Sequence, residues 1–446
     1  NVAVGNRALQ AGTTGTYNTA VGDIAMYQGV VTGNYNIAVG SSALRYLSSG
    51  SSNVAIGINS LEANTTASNN TAVGMSSLGA NTTASGITAV GAYALDANTT
   101  GAGNQAFGYG ALGANTTGAS NTAVGYNALN QVTTNGGNTA VGWQALVVNT
   151  GENNTGIGKG ALTANTTASY NTAVGHSALT ANTTGTHNVA VGNAALDANT
   201  TAIGNTALGN SSMGTNTTGA SNVAVGNSAL FSNTTASNNT AVGKSAMAAN
   251  TTGVSNTAVG DSSLDANTTG NDNVAMGRHA LGGNTTGTEN TAVGKSSLLA
   301  NTTGNRNEAF GNNTLATNTT GGNNTAIGRQ ALYSNTTASN NVAVGGNALL
   351  SNTTGTRNTA VGMNALDANT TSNDNVAVGW GSLTANTAAE NTAVGTTSLE
   401  SNTTGDHHVA IGYNALSSNT TASNNTAIGY KALTVNTGAE NTAVGS

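Results

Sequence analysis

The chain has 446 residues, of which only 10 are Lys or Arg and 16 are Asp or Glu, giving a net charge of −6. This balance argues against a nucleic-acid-binding protein, because no basic surface is available to neutralise phosphates. No apolar run approaches the roughly 18 residues of a membrane-spanning helix, and no signal peptide is visible. The chain also lacks cysteine, so disulfide bonds do not stabilise it.

A repeat seventeen residues long covers the whole chain. Its consensus is N-T-A-V-G-x-x-A-L-x-A-N-T-T-G-x-x, and the segment NTAVGKSSLLANTTGNR, residues 290–306, is one copy. There are 26 complete repeats and a truncated last one; one repeat is longer by a single residue and three are shorter by one. We number the residues of a repeat as positions 1 to 17. No linker or change of composition interrupts the pattern, so residues 1–446 are predicted to form one continuous solenoid.

Positions 1 to 5 are predicted to form a strand. Gly, Asn, Thr and Val are poor helix formers, and the repeat is too short for the two helices of a helical repeat. Short strands joined by Gly and Asn turns fit both length and chemistry, so the fold class is all-β. Each repeat is predicted to be one coil of a parallel β-solenoid, with coils about 4.8 Å apart. The absence of proline agrees, because proline would remove a hydrogen bond between strands.

Side chains alternate along a strand, so positions 2 and 4 share one face and positions 3 and 5 the other. Position 2 is Thr, Val or Ile except at Gln105 and Glu308, and position 4 is always apolar. We predict that positions 2 and 4 form a narrow core, faced by the Leu of position 9 from a second strand. The two polar residues lie in the two repeats that have Phe at position 4, Phe107 and Phe310. Our interpretation is that the large ring at position 4 displaces the β-branched residue that usually occupies position 2.

Positions 3 and 5 are Ala and Gly in nearly every repeat and never carry a charge. Apart from Glu308, the charged residues all lie at positions 6, 7, 10, 15, 16 or 17. A coil that buries little more than a Val and a Leu has a thin core. We therefore predict that the Ala and Gly face is buried against other copies of the chain, in a closed and symmetric bundle.

Aromatic residues at position 6 are the surface feature that we predict as a candidate for recognition. They are Tyr109, Tyr126 and Trp143 on three successive coils, Tyr413 and Tyr430 on two, and Trp380. Rings about 4.8 Å apart are close enough to stack and strengthen the rod, which is the interpretation that we favour. The alternative is a strip that binds the face of a sugar or another apolar surface, because exposed aromatic patches often mark interaction sites.

The triplet N-T-T at positions 12 to 14 recurs in 19 repeats from Asn64 onward, and each copy matches a glycosylation sequon. We favour an Asn ladder whose neighbouring Thr hydroxyls satisfy a tight turn. Regular Thr columns also raise the possibility of ice binding. Adjacent Thr residues point to opposite faces, however, and Val and Ile interrupt the Thr column at position 2, so we do not prefer it.

Asp406, His407 and His408 form the one cluster in the sequence that looks catalytic or metal-binding. The cluster occurs in a single repeat, has no cysteine partner and is expected on an exposed turn. We therefore predict no catalytic residues, no metal site and no cofactor, and a protein that is not an enzyme.

The N-x-A-[VI]-G group, followed by a small residue and a Gly turn, resembles the head repeats of trimeric autotransporter adhesins, the YadA-like family. The amino-acid sequence of the repeat, with its N-T-T-G turn, also looks like the repeat arrays of phage and bacterial tail-fibre proteins. This resemblance covers the whole chain and implies a left-handed parallel β-roll in which three chains associate around an axis. The YadA-like repeat is shorter, so the extra residues are expected in the N-T-T-G turn. This sequence contains none of the stalk, anchor or chaperone domains of such families.

We therefore predict an extracellular, cell-surface or virion fibre, a stiff spacer or adhesin shaft that associates with itself as a homotrimer. The first alternative is a tail fibre or adhesin that binds a cell-surface glycan or receptor, and the second is an ice-binding solenoid. No nucleic-acid partner and no membrane insertion are expected. The sequence begins at position 1 and stops just after position 5 without polar caps, so we expect an uncapped segment of a longer fibre or a unit that stacks end to end.

Overall fold

The chain folds into stacked coils that each contain one short strand, as a computed structural model describes for residues 1–10 and 13–446. These described residues contain 27 strands of three residues each and no helix, and hence no helix that could cross a membrane. The coils form two compact units, Asn1–Ser221 and Asn222–Ser446, which are described separately. A single continuous solenoid over the whole chain stays a prediction.

The strands of unit 1 are β1 (Val2–Val4), β2 (Thr19–Val21), β3 (Ile37–Val39), β4 (Val54–Ile56), β5 (Thr71–Val73), β6 (Thr88–Val90), β7 (Gln105–Phe107), β8 (Thr122–Val124), β9 (Thr139–Val141), β10 (Thr155–Ile157), β11 (Thr172–Val174), β12 (Val189–Val191) and β13 (Thr206–Leu208). Those of unit 2 are β14 (Val223–Val225), β15 (Thr240–Val242), β16 (Thr257–Val259), β17 (Val274–Met276), β18 (Thr291–Val293), β19 (Glu308–Phe310), β20 (Thr325–Ile327), β21 (Val342–Val344), β22 (Thr359–Val361), β23 (Val376–Val378), β24 (Thr392–Val394), β25 (Val409–Ile411), β26 (Thr426–Ile428) and β27 (Thr442–Val444).

Successive strands within each unit pair in parallel and in register, so equivalent positions of neighbouring repeats form straight columns. Between β15 and β16, for example, Thr240 lies opposite Thr257 and Val242 opposite Val259. Strands β9 and β10 keep this register, with Thr139 opposite Thr155, although the repeat between them is one residue short. The pairing confirms the predicted parallel β-solenoid with one repeat in each coil.

Backbone hydrogen bonds join each coil to the coils before and after it. In the repeat that contains β16, the N–H of Thr257 donates to the carbonyl of Asn273 in the next coil at 2.8 Å. The N–H of Gly260 donates to the carbonyl of Val242 in the preceding coil, also at 2.8 Å. Pairing in both directions satisfies the backbone polar groups that a stack of short strands would otherwise leave unpaired.

The Leu of position 9 lies in a turn, so the prediction of a second strand is wrong. Positions 7, 9 and 17 adopt left-handed backbone conformations, with φ of 51° at Ser262, 52° at Leu264 and 56° at Asp272. Each such residue costs about 1–2 kcal/mol relative to right-handed conformations. Bonds to the neighbouring coils hold this path, because Leu264 donates its N–H to the carbonyl of Ala280 at 2.9 Å.

The two faces of each strand are the reverse of those predicted. Ala258 at position 3 is fully buried inside its own chain, as is Leu264, whereas Met276 at position 4 is 45% exposed. Position 3 faces the column of Leu side chains at position 9. Gly156 is the one position-3 residue that is not Ala, and a Cβ added to it would lie 3.1 Å from the Leu146 side chain. Leu already fills the narrow coil, so only a methyl group fits opposite it. Positions 2 and 4 therefore point outward, and position 3 is not covered by another chain.

The outward direction of position 4 also overturns our interpretation of the two Phe residues. Phe107 is 40% exposed and Phe310 is 39% exposed, so neither ring displaces a core neighbour. The side chain of Gln105 lies on the same outward face and donates a hydrogen bond to the Gly86 carbonyl at 3.3 Å. The structure gives no physical reason for the coincidence of polar position 2 with Phe at position 4.

Gly at position 5 is required where the chain leaves the strand. At Gly260 φ is +136°, a conformation that side-chain-bearing residues rarely adopt. A Cβ there would lie 2.7 Å from the carbonyl group of Gly277 in the next coil. Coils that stack this closely leave no room for a side chain at position 5.

Two ladders of Asn side chains run through the interior. At position 12, the Asn267 amide donates to Oδ1 of Asn250 at 2.8 Å and to the Gly270 carbonyl at 3.0 Å. At position 1, the Asn256 amide donates to the same Gly270 carbonyl at 2.9 Å. Asn256 and Asn267 are fully buried, and an unpaired amide would be costly there. The Asn ladder predicted for the N-T-T triplets is confirmed.

Candidate interaction surface

The surface with the most regular chemistry is formed by the side chains at positions 2 and 4 of the strands, which we call the outer face of each unit. Position 2 is Thr in sixteen of the 27 repeats and otherwise Val or Ile, apart from the two polar exceptions. Position 4 is Val or Ile except for Phe107, Phe310, Leu208 and Met276. Because the strands pair in register, these side chains form two straight columns on one side of each sheet.

The outer face is partly exposed along its length, and most so at its larger side chains. Ile56 is 41% exposed, Leu208 is 46% exposed and Ile327 is 42% exposed. Soluble proteins rarely expose apolar patches larger than a few hundred Å² unless the patch binds something. Each coil adds another apolar side chain to the same strip, so the outer face of either unit is a strong candidate for an interaction surface.

Glu308 is the one charged residue on the outer face. It is exposed and takes part in none of the ion pairs formed among residues 1–10 and 13–446. The other charges lie on the turns, where Arg357 and Asp374 form a two-bonded ion pair with both distances at 2.7 Å. Exposed pairs of this kind contribute about 0–1 kcal/mol, so they tune the surface of the turns and do not form a site.

The aromatic residues predicted at position 6 are all exposed, and two pairs of them stack. Tyr109 and Tyr126 have ring centroids 5.5 Å apart at an interplanar angle of 11°. Tyr413 and Tyr430 have the same separation, at 12°. Parallel rings in this arrangement cover one another's faces and turn their edges to the solvent. The stacking that we favoured for these two pairs is therefore present.

A lysine ammonium group lies near two of the position-6 rings, those of Trp143 and Tyr430. The ammonium group of Lys159 lies 5.4 Å from the ring centroid of Trp143, a distance at which a cation is attracted to the ring face. Trp380 is 51% exposed. Whether any of the six aromatic residues binds a ligand stays a prediction.

A second aromatic column, which the sequence analysis missed, lies at position 17. Tyr17 and Tyr35 stack at 5.0 Å and 2°, and Tyr170 stacks on His187 at 5.1 Å and 22°. The signal was available, because each pair is one repeat apart in the sequence. Position 17 otherwise holds mostly small and polar residues, which hid the column.

The N-T-T triplets offer little to an enzyme that attaches glycans to the folded protein. The Asn amide nitrogens are the atoms that glycosylation would modify, and in residues such as Asn267 they are buried and already donate hydrogen bonds. The first Thr of the triplet is also occupied, because Thr268 Oγ1 donates to the Thr285 carbonyl at 3.0 Å. The second Thr, represented by Thr269, is exposed.

The predicted cluster of Asp406, His407 and His408 is divided by the fold. His407 is exposed, with Nε2 2.7 Å from a carboxylate oxygen of Glu390 and Nδ1 3.4 Å from one of Asp406. A hydrogen bond from Ser423 and the neighbouring His407 hold the pKa of Asp406 below its ordinary value. His408 points the other way and is 1% exposed. Within the described ranges, no three His, Cys, Asp or Glu side chains are grouped as a metal ion would need.

Four Asp residues at position 10 lie partly beneath the surface of the turns. Burial raises the pKa of each of them above the ordinary value of 3.8; they are Asp96, Asp197, Asp265 and Asp367. In Asp367 one carboxylate oxygen is buried without a hydrogen-bond partner. Two nearby groups act on the pKa of Asp265 in opposite directions, since His279 lowers it and Asp261 raises it.

The chain matches no family model and no curated protein.

Proposed function

We propose that the chain is a structural shaft, a stiff segment of an extracellular fibre or adhesin that associates with copies of itself through the outer face. The observation that carries this proposal is the composition of that face. It is partly exposed in the single chain, yet across all the repeats it carries one charged residue, Glu308. Charged residues are frequent at positions 6 and 10, so the repeats do admit them elsewhere on the surface.

Association would remove the apolar columns from water. Burial of apolar surface contributes about 25 cal/mol for each Å². In each unit the outer face extends for roughly 60 Å at the strand spacing of about 4.8 Å, which is long enough for many small contributions to add. The principal apolar side chains inside most coils are two Ala, at positions 3 and 8, and one Leu, so this added burial is valuable for a long fibre.

A second copy of the chain fits the outer face better than an unrelated partner. The face repeats the same pair of side chains every coil, and an identical chain placed in register presents the same columns at the same spacing. Homo-oligomers usually close by cyclic symmetry. We propose three copies around an axis with the coils wound as left-handed β-rolls, as the resemblance to YadA-like heads and tail-fibre repeats implies. The charged positions 6, 7, 10 and 15 to 17 then remain on the outside.

The proposal places the protein outside the cell, on a cell surface or a virion. An extracellular shaft needs length, stiffness and resistance to unfolding more than it needs a binding pocket, and hydrogen bonds along every coil provide these properties. The lack of cysteine is compatible with this location. The proposed role involves no catalysis.

Sedimentation equilibrium and imaging of fibre cross-sections test the proposal together. We expect a mass three times that of the chain and three lobes in each layer. A monodisperse single chain at micromolar concentration would contradict it, and a dimer or tetramer would correct the number of copies while keeping the interface.

Ice binding is the second candidate function, because positions 2 and 4 point outward and not into the core as the sequence analysis predicted. The Thr column of position 2 and the Val or Ile column of position 4 lie side by side on the same outward face, in register from coil to coil. This is the flat, regular array that adjacent Thr residues could not form. A soluble single chain that shows thermal hysteresis would favour this function, and an assembled fibre without hysteresis favours the shaft.

Glycan or receptor binding by the position-6 aromatic residues is favoured less. Sugars stack on the faces of aromatic rings, and in the Tyr109–Tyr126 pair these faces are turned toward each other. Replacing Tyr109, Tyr126 and Trp143 by Ser decides the point. We expect a lower melting temperature with attachment to cells or glycans unchanged, and lost attachment at an unchanged melting temperature would establish recognition instead.

A further inference from the structure

The Asn at position 1 performs two tasks in each coil. In the repeat that contains β16, the Asn256 amide donates to the carbonyl at position 15, Gly270, at 2.9 Å. Its Oδ1 accepts the backbone N–H of Asn273, the position-1 residue of the next coil, at 3.0 Å. One side chain thereby closes its own coil and connects it to the next. A replacement must supply one donor and one acceptor to do the same.

His408 occupies position 1 of its repeat and supplies both groups from its ring. Nδ1 accepts the backbone N–H of Asn425, the position-1 residue of the next coil, at 3.2 Å. The ring also hydrogen-bonds to the backbone of Ala422, the position-15 residue. Only a neutral ring with its proton on Nε2 can accept at Nδ1 and donate to a carbonyl at once.

The hydrogen-bond partner of Nδ1 of His408 is a donor, so a second proton on this nitrogen would displace it. That nitrogen faces an N–H group, and the ring is 1% exposed. On the other side, Nε2 lies 3.2 Å from the amide nitrogen of Asn419, which donates to Oδ1 of Asn402 and to the Ala422 carbonyl. A protonated ring would therefore break the bond to the next coil and leave a cation in the interior.

Two buried polar atoms beside His408 already lack partners. They are Oδ1 of Asn419 and Nδ2 of Asn425. The lack at Asn419 recurs elsewhere at position 12, because Oδ1 of Asn115 and Oδ1 of Asn369 are also without a partner. The lack at Asn425 differs from the usual position-1 amide, which is bonded as that of Asn256 is to the Gly270 carbonyl at 2.9 Å. The stack is thus weaker at His408 before any proton binds, since each unsatisfied buried group costs about 1–3 kcal/mol.

Two charged groups in the preceding coil act on His408 in opposite directions: Asp406 favours the protonated ring and His407 opposes it. His407 is itself placed between Glu390 and Asp406 on the exposed turn. The remaining titratable groups of the three coils concerned are all exposed; they are Glu400, Tyr413, Tyr430, Lys431 and Glu440.

We propose that His408 is an acid-sensitive break point, at which protonation disconnects the coil of β25 from the coil of β26 and opens the stack locally. In a shaft built from otherwise uniform coils, this gives one defined place that loosens in acid while the rest stays closed. Ile87 is the comparison in unit 1. It also replaces Asn at position 1 and is 1% exposed, but it cannot titrate.

The direction of the pH effect follows from burial, which lowers the pKa of His408 below its ordinary value of 6.5. The unfolded or opened chain then binds the proton more readily than the closed stack. Stability is fully present above pH 6.5 and is lost as the pH falls from there toward the lowered pKa of the folded state.

Hydrogen exchange of the amides in β25 and β26 tests the proposal, with His408→Asn as the matched variant because Asn is the usual residue at position 1. Comparing wild type and variant at each pH cancels the intrinsic pH dependence of exchange. We expect the ratio of wild-type to variant exchange rates to be constant above about pH 7 and to rise as the pH falls toward about 5, because only the wild type has a buried group that titrates in this range.

Two further variants make the outcome unambiguous. His176→Asn, at an exposed histidine of position 6, should keep the acid response of the wild type. His408→Ile, which imitates Ile87, should exchange at a rate that does not follow the titration. Equal exchange in wild type and His408→Asn in acid, or an acid response that persists in His408→Asn, would overturn the proposal.

Discussion

The inner and outer faces of the same strands obey opposite rules. On the inner face, Ala258 and its equivalents in the internal coils are fully buried. The residue at this position is Ala in every repeat but one, where Gly156 lacks the methyl group. On the outer face, position 4 varies from Val to Phe at comparable exposure. The inner face is limited by volume, because the Leu column lies within contact distance. The outer face is limited by polarity, because nothing in the chain itself limits the size of its side chains.

The source of the constraint therefore differs between the two columns. A column that tolerates no change in size is packed within the coil. Where a column accepts side chains of different volume but excludes charge, we expect a partner outside the single chain to cover it. Substitutions at matched positions of the same coil separate these two cases.

The largest effect is expected from Ala258→Glu on the inner face. A carboxylate there would be buried without a partner in a space that holds only a methyl group, so we expect a loss of about 3–5 kcal/mol and local unfolding of the coil. The matched control is Thr257→Glu, one residue earlier on the outer face, which should change the stability of the single chain by at most about 0.5 kcal/mol. Urea unfolding followed by circular dichroism, at concentrations below association, measures both, and equal losses would show that our assignment of the faces is wrong.

The next largest effect is expected where the strand ends. Gly260→Val places a β-branched side chain at a φ of +136° and within 2.7 Å of the next coil's backbone. A loss of about 3 kcal/mol is expected from this strain. Asp261→Val changes the neighbouring residue, whose contact with Arg278 is an exposed pair at 3.9 Å. Its loss should stay within about 1 kcal/mol. Indistinguishable melting of the two variants would refute the numbering of the repeat.

An intermediate effect is expected inside the Asn ladder. Asn267→Ala removes two donated hydrogen bonds and leaves the Asn284 amide without one of its two acceptors. This loss should cost about 1–3 kcal/mol. Thr269→Ala, in the same triplet but on the surface, should leave the unfolding midpoint nearly unchanged. If both Ala variants melt together, the ladder does not stabilise the interior.

The smallest effect is expected at position 10, which lies between the two faces. Because burial raises the pKa of Asp265 above 3.8, its charged form opposes folding at neutral pH. The contribution of Asp265 is most favourable below pH 3.8 and is lost as the pH rises through the raised pKa. Asp265→Asn should therefore be slightly more stable than wild type at neutral pH, with the difference disappearing in strong acid. A constant difference across this range would contradict a titrating cause.

Much of this architecture follows from the sequence, and the errors have definite physical causes. The fixed spacing of Gly260 and its equivalents predicts in-register coils, and the N-T-T triplets predict the Asn ladder. Alternation shows that positions 2 and 4 share a face, but it does not say which face is inside. We chose the larger side chains for the interior, although the coil has room for only one large residue, the Leu of position 9.

The missed elements depend on backbone conformations that composition does not reveal. Leu264 has a left-handed backbone that Leu seldom adopts alone, and the bonds of adjacent coils impose it. His408 looked like part of an exposed cluster because its role as an Asn substitute depends on the register of the ladder. The exposed apolar strip at positions 2 and 4 was not predicted, because its outward direction follows from the packing of Ala and Leu on the inner face.

The association state of outer-face variants tests the central claim most directly. Met276→Lys combined with Ile327→Lys places two charges on side chains that are 45% and 42% exposed in the single chain. The control carries Lys at two exposed turn positions, Thr269 and Thr303. We predict that wild type and control sediment as trimers, whereas the outer-face variant sediments as a folded single chain with unchanged circular dichroism. Association of the outer-face variant at wild-type strength would contradict the account.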